Sequence, residues 1–320
     1  MSTLLLTRSQ VESLLDIREV IEAVQDAFVA LAEGRAAMPP KAYVVLEKGD
    51  FRAIPSVLPG AVGLKWVNVH TENKCRGLPT VMAVMIYNDP QTGYPLAVLD
   101  ATSITAYRTG AASAVASKYL ARPESKSLGI IGAGSQAYTQ IEAHMELFKI
   151  EVINIFDLSP AAVEVLIRNL PQYPLKSCSL EDAAASDIVC TLTTARAPFL
   201  GKEMIKPGTH INAVGADAKG KQELELPLLK DAVVVVDDIV QAEKAGEINM
   251  PVSRGEYSPK EVYATLGEVI TGRKRGRVDD KSITVFDSTG VAIEDLAVAK
   301  LIYEKAQKIG GYKSIDFIEG

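Results

Sequence analysis

Ser127-Leu128-Gly129-Ile130-Ile131-Gly132-Ala133-Gly134-Ser135-Gln136-Ala137 decides the fold, together with Ile153-Asn154-Ile155-Phe156-Asp157 downstream. An apolar run enters a pair of glycines, an alanine stands three residues after the second, and a helical pattern follows. A second apolar run then ends in an acid. Gly132 permits a tight strand-to-helix turn. Gly134 lacks the Cβ that would keep a ligand away from the backbone, and Ala137 is small enough for the helix to lie close on the strand. The helix start offers N–H groups and the positive end of the helix dipole to an anion. Strand, G-x-G-x-x-A, helix, strand and terminal acid form the dinucleotide-binding fingerprint, with Asp157 placed for ribose hydroxyls.

Outward from that centre, the C-terminal half repeats strand then helix. Strands are predicted at 128–131, 152–156, near 175–177, 188–191, 210–213, 232–236 and 283–286, with helices at 138–148 and 160–169 between them. Such alternation gives a doubly wound, mostly parallel sheet, the Rossmann arrangement. The N-terminal half reads differently. A short strand at 4–6 and a helical segment at 9–15 precede a clear amphipathic helix. In it Ile17, Val20, Ile21, Val24, Phe28 and Leu31 recur at helical spacing, with Asp16 to cap and Gly34 to stop. Strands then follow at 42–46, 50–55, 62–69, 80–88 and 96–100, the last two joined by the turn Asp89-Pro90-Gln91-Thr92-Gly93-Tyr94. This is an α+β domain with a mostly antiparallel sheet. Residues 101–119 form a helix crowded with Ala and Gly, which suits close helix packing as well as approach of a ligand. The last helix, about 291–309, returns to the first domain, whose sheet needs cover. The expected divisions are 1–118 for substrate binding and dimerisation, 119–295 for the dinucleotide, and 296–320 for the returning segment.

The chain of 320 residues is 48% hydrophobic and 23% charged, the profile of a folded globular enzyme rather than a disordered chain. Its net charge of −6 offers no basic stripe for nucleic acid. The one basic cluster, Arg273-Lys274-Arg275-Gly276-Arg277, reads as a solvated loop. Cys75, Cys178 and Cys190 have neither metal nor disulfide spacing, and His70, His144 and His210 are too scattered for zinc, so no metal is expected. The apolar run at the start is too short for a signal peptide or a membrane span, which makes a cytoplasmic, membrane-free protein the expectation.

Lys65 lies in the apolar run Val62-Gly63-Leu64-Lys65-Trp66-Val67, and Arg52 in Phe51-Arg52-Ala53-Ile54-Pro55. A cation in such a run is either an outward edge residue or a site residue. Desolvation would lower a lysine's pKa and suit it to proton transfer near neutrality. Asp217 follows a predicted parallel strand, where ligands of open α/β sheets bind, although a helix cap would account for it equally.

Gly63-Leu64-Lys65-Trp66-Val67-Asn68, Leu78-Pro79-Thr80-Val81-Met82-Ala83, Arg108-Thr109-Gly110-Ala111, Asn212-Ala213-Val214-Gly215-Ala216-Asp217 and Phe286-Asp287-Ser288-Thr289-Gly290 resemble, in the same order, segments of the ornithine cyclodeaminase/μ-crystallin family. Gly215-Ala216-Asp217 and Gly220-Lys221-Gln222-Glu223-Leu224 bring it nearest to that family's archaeal-type alanine dehydrogenase branch. The resemblance implies a homodimer and an NAD-dependent enzyme of small amino acids, with L-alanine and its 2-oxo acid plus ammonia as the leading pair. It implies Lys65 and Asp217 as catalytic residues, and Lys41, Arg52, Lys65 and Arg108 around the substrate. NAD would be held by Thr80, Arg108, Thr109, Gly132, Gly134, Ser135, Gln136, Asp157, Leu158, Ser159, Thr193, Val214, Gly215, Ala216, Asp217 and Ser288. Where ornithine cyclodeaminase has a glutamate for the side-chain amine, this chain has Arg52, which repels a diamine and attracts a carboxylate. The rival readings are a reductase of pyrroline- or piperideine-2-carboxylate, a cyclodeaminase that recycles bound NAD, and a non-catalytic dinucleotide-binding protein.

Overall fold

The computed structural model describes residues 2–318. In chain order the first elements are β1 (Thr3–Leu6), α1 (Arg8–Leu14), α2 (Ile17–Ala32), β2 (Ala42–Leu46), β3 (Gly49–Leu58), β4 (Ala61–Val69), β5 (Val81–Asn88), β6 (Pro95–Asp100) and α3 (Thr102–Leu120). Next come β7 (Ser127–Ile131), α4 (Ser135–Leu147), β8 (Val152–Phe156), α5 (Pro160–Asn169), β9 (Leu175–Ser177), α6 (Leu180–Ala184), β10 (Ile188–Thr191) and β11 (His210–Ala213). The remainder are α7 (Leu226–Asp231), β12 (Val233–Val236), α8 (Ile239–Ala245), α9 (Asn249–Ser253), β13 (Ala264–Thr265), α10 (Leu266–Ile270), β14 (Thr284–Asp287), α11 (Ala292–Ile309) and β15 (Ser314–Ile315).

The chain divides into two compact units. One runs up to Arg108 and resumes at Val291; the other is Thr109–Gly290. The boundaries therefore fall inside α3 and just ahead of α11, and the whole of α11 belongs to the first unit.

In the first unit a seven-stranded sheet has the order β15-β1-β6-β5-β4-β3-β2 among the described residues. It is antiparallel except where β1 runs parallel to β6. The spacing of α2 does what its sequence suggests: Val20, Ile21, Val24 and Phe28 are buried, and the Asp16 carboxylate accepts from the N–H groups of Arg18 and Glu19. α11 packs on α2 and on β3, β4 and β5. Strand β4 alternates accordingly: Ala61, Gly63, Lys65 and Val67 are buried on the face that meets α11, while Trp66 faces away and is 41% exposed. Trp66 stands opposite Val84 and stacks on Phe51.

The second unit carries an eight-stranded sheet of order β13-β12-β14-β11-β10-β7-β8-β9 among the described residues, parallel at every paired neighbour. Its strands are apolar on both faces, as a sheet covered by helices on both sides requires. One buried cluster gathers Ile131, Val189, Ile211 and Val285; the other gathers Leu128, Ile130, Ile155 and Ile188. From β7 the order runs through β8 and β9 on one side and through β10 and β11 on the other, with the late strand β14 inserted between β11 and β12, so a switch point lies between β7 and β10. The basic stretch corrects the sequence reading at one position. Arg277 is half-buried and donates to the carbonyls of Leu120, Gly208 and Ser282, tying three segments together rather than meeting solvent. Among the described residues no helix is long and apolar enough to cross a membrane.

Candidate functional site

The first unit concentrates its charge on the inner face of the sheet. Lys65 lies opposite Ile54 of β3 and Met85 of β5, and is 2% exposed. Its Nζ donates to Oδ1 of Asp295 at 2.7 Å. Arg108, on α3, donates from Nη1 to Oε2 of Glu294 at 2.6 Å and brings Nε to 3.3 Å from Asp295 Oδ1. Both acids sit in the first turn of α11, where negative charge favours the helix dipole, and both are buried. Two cations and two carboxylates thus interlock, one side from β4 and α3, the other from α11.

The electrostatics follow from that burial. Desolvation pulls the Lys65 ammonium down to about 8, although Asp295 opposes the change and Arg108 and Lys41 add to it. Burial pushes Asp295 upward, but the charges of Lys65 and Arg108 and the Lys65 hydrogen bond outweigh it and hold the carboxyl below its usual range. Lys41 precedes β2, half-buried and close enough for its charge to be felt by both groups.

Arg52 projects from the same sheet face as Lys65. It lies opposite Val67, two residues from Ile54, and is therefore the diagonal neighbour of Lys65. Asp50 holds its fork with Nε–Oδ1 at 2.7 Å and Nη2–Oδ2 at 3.2 Å, and its guanidinium lies over the Tyr43 ring. Glu294, Asp295 and Asp50 escaped the sequence reading. The one available signal for the first two was an acid pair at the start of a helix, followed directly by the apolar run Leu296-Ala297-Val298-Ala299.

In the second unit the fingerprint takes its expected shape. Gly132 has φ 110°, a region that side chains disfavour, and its N–H donates to the Phe156 carbonyl. Gly134 is the N-cap of α4 and offers no side-chain cap, and a Cβ built on it would enter open space. Asp157 accepts from Ala133 N–H at 2.8 Å and from Ser159 N–H, so the acid at the tip of β8 is latched to the glycine turn. Leu158 beside it is 93% exposed. Ser159 caps α5. Ser135 is exposed, and the half-buried Gln136 keeps its Oε1 without a hydrogen-bond partner. An uncapped helix start, a turn open where a side chain would stand, and a fixed acid fit a dinucleotide.

The other expected residues of this unit lie beyond the carboxyl ends of β10, β11 and β14. Thr193 follows β10; Val214, Gly215 and Ala216 follow β11; Ser288 follows β14 and donates from its N–H to Ala213. Asp217 is partly exposed and pairs with Lys221. Thr109 is buried, its carbonyl accepting from Gln140. Thr80 belongs to the first unit, just ahead of β5, where its buried Oγ1 has no hydrogen-bond partner.

The model of the Ornithine cyclodeaminase/mu-crystallin family matches residues 1–310. An alanine dehydrogenase from Archaeoglobus fulgidus is 50% identical over 308 residues, which cover 96% of each chain. A solved archaeal alanine dehydrogenase dimer with bound NAD superposes with a TM-score of 0.97 at 48% identity, over 99% of this chain and all of that one. The Delta(1)-pyrroline-2-carboxylate reductase of Thermococcus litoralis, solved with NADH and L-proline, gives 0.93 at 40% identity, over 98% and 100% of the two chains. A match along almost the whole length, in sequence and in fold, means that this chain belongs to the ornithine cyclodeaminase/mu-crystallin family.

Proposed function

We propose that the chain is an NAD-dependent oxidoreductase acting at the C–N bond of a small α-amino acid, with L-alanine and pyruvate plus ammonia as the leading pair. The observation that carries this reading is the buried Lys65–Asp295 pair beside Arg108. A lysine held at about 8 exchanges its proton readily near neutral pH, which suits it to serve the α-amino or oxo centre as acid and base.

Charge counting supports the substrate class. Lys41, Arg52, Lys65 and Arg108 face Asp50, Glu294 and Asp295, four cations against three carboxylates. A surrounding so rich in cations favours a carboxylate and is unfavourable to a diamine. Arg108 and Arg52 present planar forks to that carboxylate, and Lys41 adds a point charge. For Asp217 the family resemblance implies a role in orienting or deprotonating the amine or water.

NAD, when bound, supplies the two-electron chemistry. Gly134, Ser135 and Gln136 would meet its phosphates at the start of α4, and Asp157 its ribose, with Leu158 and Ser159 alongside. Thr193, Val214, Gly215, Ala216 and Ser288 would line the remainder within the second unit, with Thr109. The relatives solved with NAD or NADH support this assignment. So does the dimeric relative for a homodimer, for which the exposed strand β2 and the outer face bearing Trp66 and Val84 offer apolar surface.

A second reading, reduction of a cyclic imine carboxylate, draws on the Thermococcus reductase solved with L-proline. It needs the same carboxylate clamp. NADH oxidation by the purified protein, with pyruvate plus ammonium in one arm and pyrroline-2-carboxylate in the other, separates the two. Ammonia released from ornithine without net NADH would overturn both.

A further inference from the structure

We propose that Glu223 is a positioning residue that clasps the two loops on the cofactor side of the second unit, holding Thr193 and the Val214–Asp217 segment in register. This rests on the reading that the second unit takes the dinucleotide. Thr193 and Gly215 follow neighbouring strands, β10 and β11, whose residues pair up to Thr191 and Ala213. Beyond those residues the N–H groups of Val214 and Gly215 still reach the Thr191 carbonyl, but no backbone bond among the described residues ties Thr193 to the β11 loop, and a side chain makes that link. That side chain is Glu223. Its Oε1 accepts from the N–H and the hydroxyl of Thr193, at 2.7 and 2.6 Å, and its Oε2 accepts from Gly215 N–H at 3.0 Å.

The clasp is tight. A Cβ on Gly215 would come within 2.3 Å of the Thr193 carbonyl oxygen and 2.5 Å of the Glu223 carboxyl carbon. Asp217 depends on the same anchor, since its N–H donates to the Gly215 carbonyl at 3.0 Å.

Glu223 is itself held. It is wholly buried, its carbonyl accepts from Phe199 and Leu200, and its N–H donates to the Glu247 carboxylate. Glu247 also accepts from Leu224 N–H, and Asp287 at the end of β14 accepts from the N–H groups of Glu247 and Ile248. Three buried acids, each filled by peptide N–H groups, therefore run from the tip of β14 to the loops after β10 and β11. Burial raises all three carboxyls, Asp287 to about 7, with the neighbouring acids adding to the rise at Glu247.

Glu223→Gln keeps the size but turns one acceptor into a donor that faces another donor. Titration of the full-length protein with NADH is expected to show at least tenfold weaker binding. Exchange of the Thr193 and Gly215 amide hydrogens should speed up in parallel. Asp187→Asn, which disturbs an acid bound to Arg122 and to Lys126 and Ser127 N–H at the opposite end of β7, is expected to lower stability and leave NADH affinity unchanged. If Glu223→Gln does not fold, Thr193→Val, which removes one of the three hydrogen bonds, is expected to weaken NADH severalfold. A folded variant with wild-type affinity overturns the assignment alone. A wild-type protein that binds no NADH overturns the cofactor reading and this assignment with it.

Discussion

Lys65 and Asp295 are 230 positions apart in sequence and 2.7 Å apart in space, Nζ to Oδ1. The pair sets the proton affinity of the lysine, because Asp295 opposes a burial that would otherwise push Lys65 far lower. Asp295→Asn is expected to move the Lys65-dependent limb of the pH–rate profile to lower pH, since the ammonium would keep its desolvation and Arg108 but lose its counter-charge. Breaking a buried pair also costs about 3–5 kcal/mol of stability, visible as a lower denaturant midpoint. Superimposable profiles for variant and wild type would refute the pairing's role.

Lys65→Met should lower turnover by about a hundredfold or more, the usual worth of general acid–base catalysis, with NADH affinity unchanged. Asp295 would still have Arg108 beside it, so the protein should fold. Turnover near that of the wild type would make Lys65 a structural charge.

Arg52 is expected to separate substrates. Asp50 already fixes its fork, so the guanidinium is oriented before anything binds. Arg52→Ala and Arg52→Lys should both raise the Michaelis constant for the amino acid by about tenfold or more, because lysine cannot reproduce two parallel hydrogen bonds. Ornithine cyclisation should be negligible in the wild type. Proline formed from ornithine at a rate comparable to that of amino-acid oxidation would contradict this.

Asp157→Ser should narrow the preference for NAD over NADP, which steady-state kinetics with both cofactors will read. The carboxylate would repel a 2′-phosphate, and Leu158-Ser159-Pro160 supplies no cation to attract one. Equal efficiency with both cofactors in the wild type would remove the basis of the prediction.

His144 and His210 predict the acid limit of stability. Burial lowers them to about 4 and about 3, while the unfolded chain titrates near 6.5. Above pH 6.5 both states hold these rings neutral and stability is unaffected. Between about 6.5 and 4 only the unfolded chain takes up the protons, so stability falls as the pH drops, by about 3 kcal/mol for His144 alone. The raised carboxyls of Glu223, Glu247 and Asp287 act in the opposite sense over this range, so the His144 contribution is read by difference. The denaturant midpoint of His144→Gln relative to wild type should rise as the pH falls from about 7 to about 4.5, and a constant difference would refute it.

Much of this molecule is legible in its sequence because the relevant physics is local. The glycine turn, the alternation that builds the parallel sheet and the stripe of α2 each declare themselves within about twenty residues. The short helices α7, α8, α9 and α10, of five to seven residues, do not complete enough turns to show a period. Glu294 and Asp295 were illegible for another reason. An acid in a helix's first turn is ordinarily solvated, and the cations that bury these two lie on β4 and α3, far away in the chain. Arg277 was misread on the same ground, its carbonyl partners lying on three separate segments. The parallel pairing of β1 with β6 likewise depends on a long-range arrangement that no local pattern announces.

The late position of α11 has a consequence for synthesis. Residues up to Arg108 leave the ribosome first, bearing Lys65 and Arg108, yet the helix that neutralises them is translated only after the entire parallel-sheet unit. Until then the inner face of the first sheet has neither its cover nor its counter-charges. A nascent chain can therefore complete its parallel-sheet unit while its lysine and arginine still wait in water, and the first unit matures only when α11 arrives.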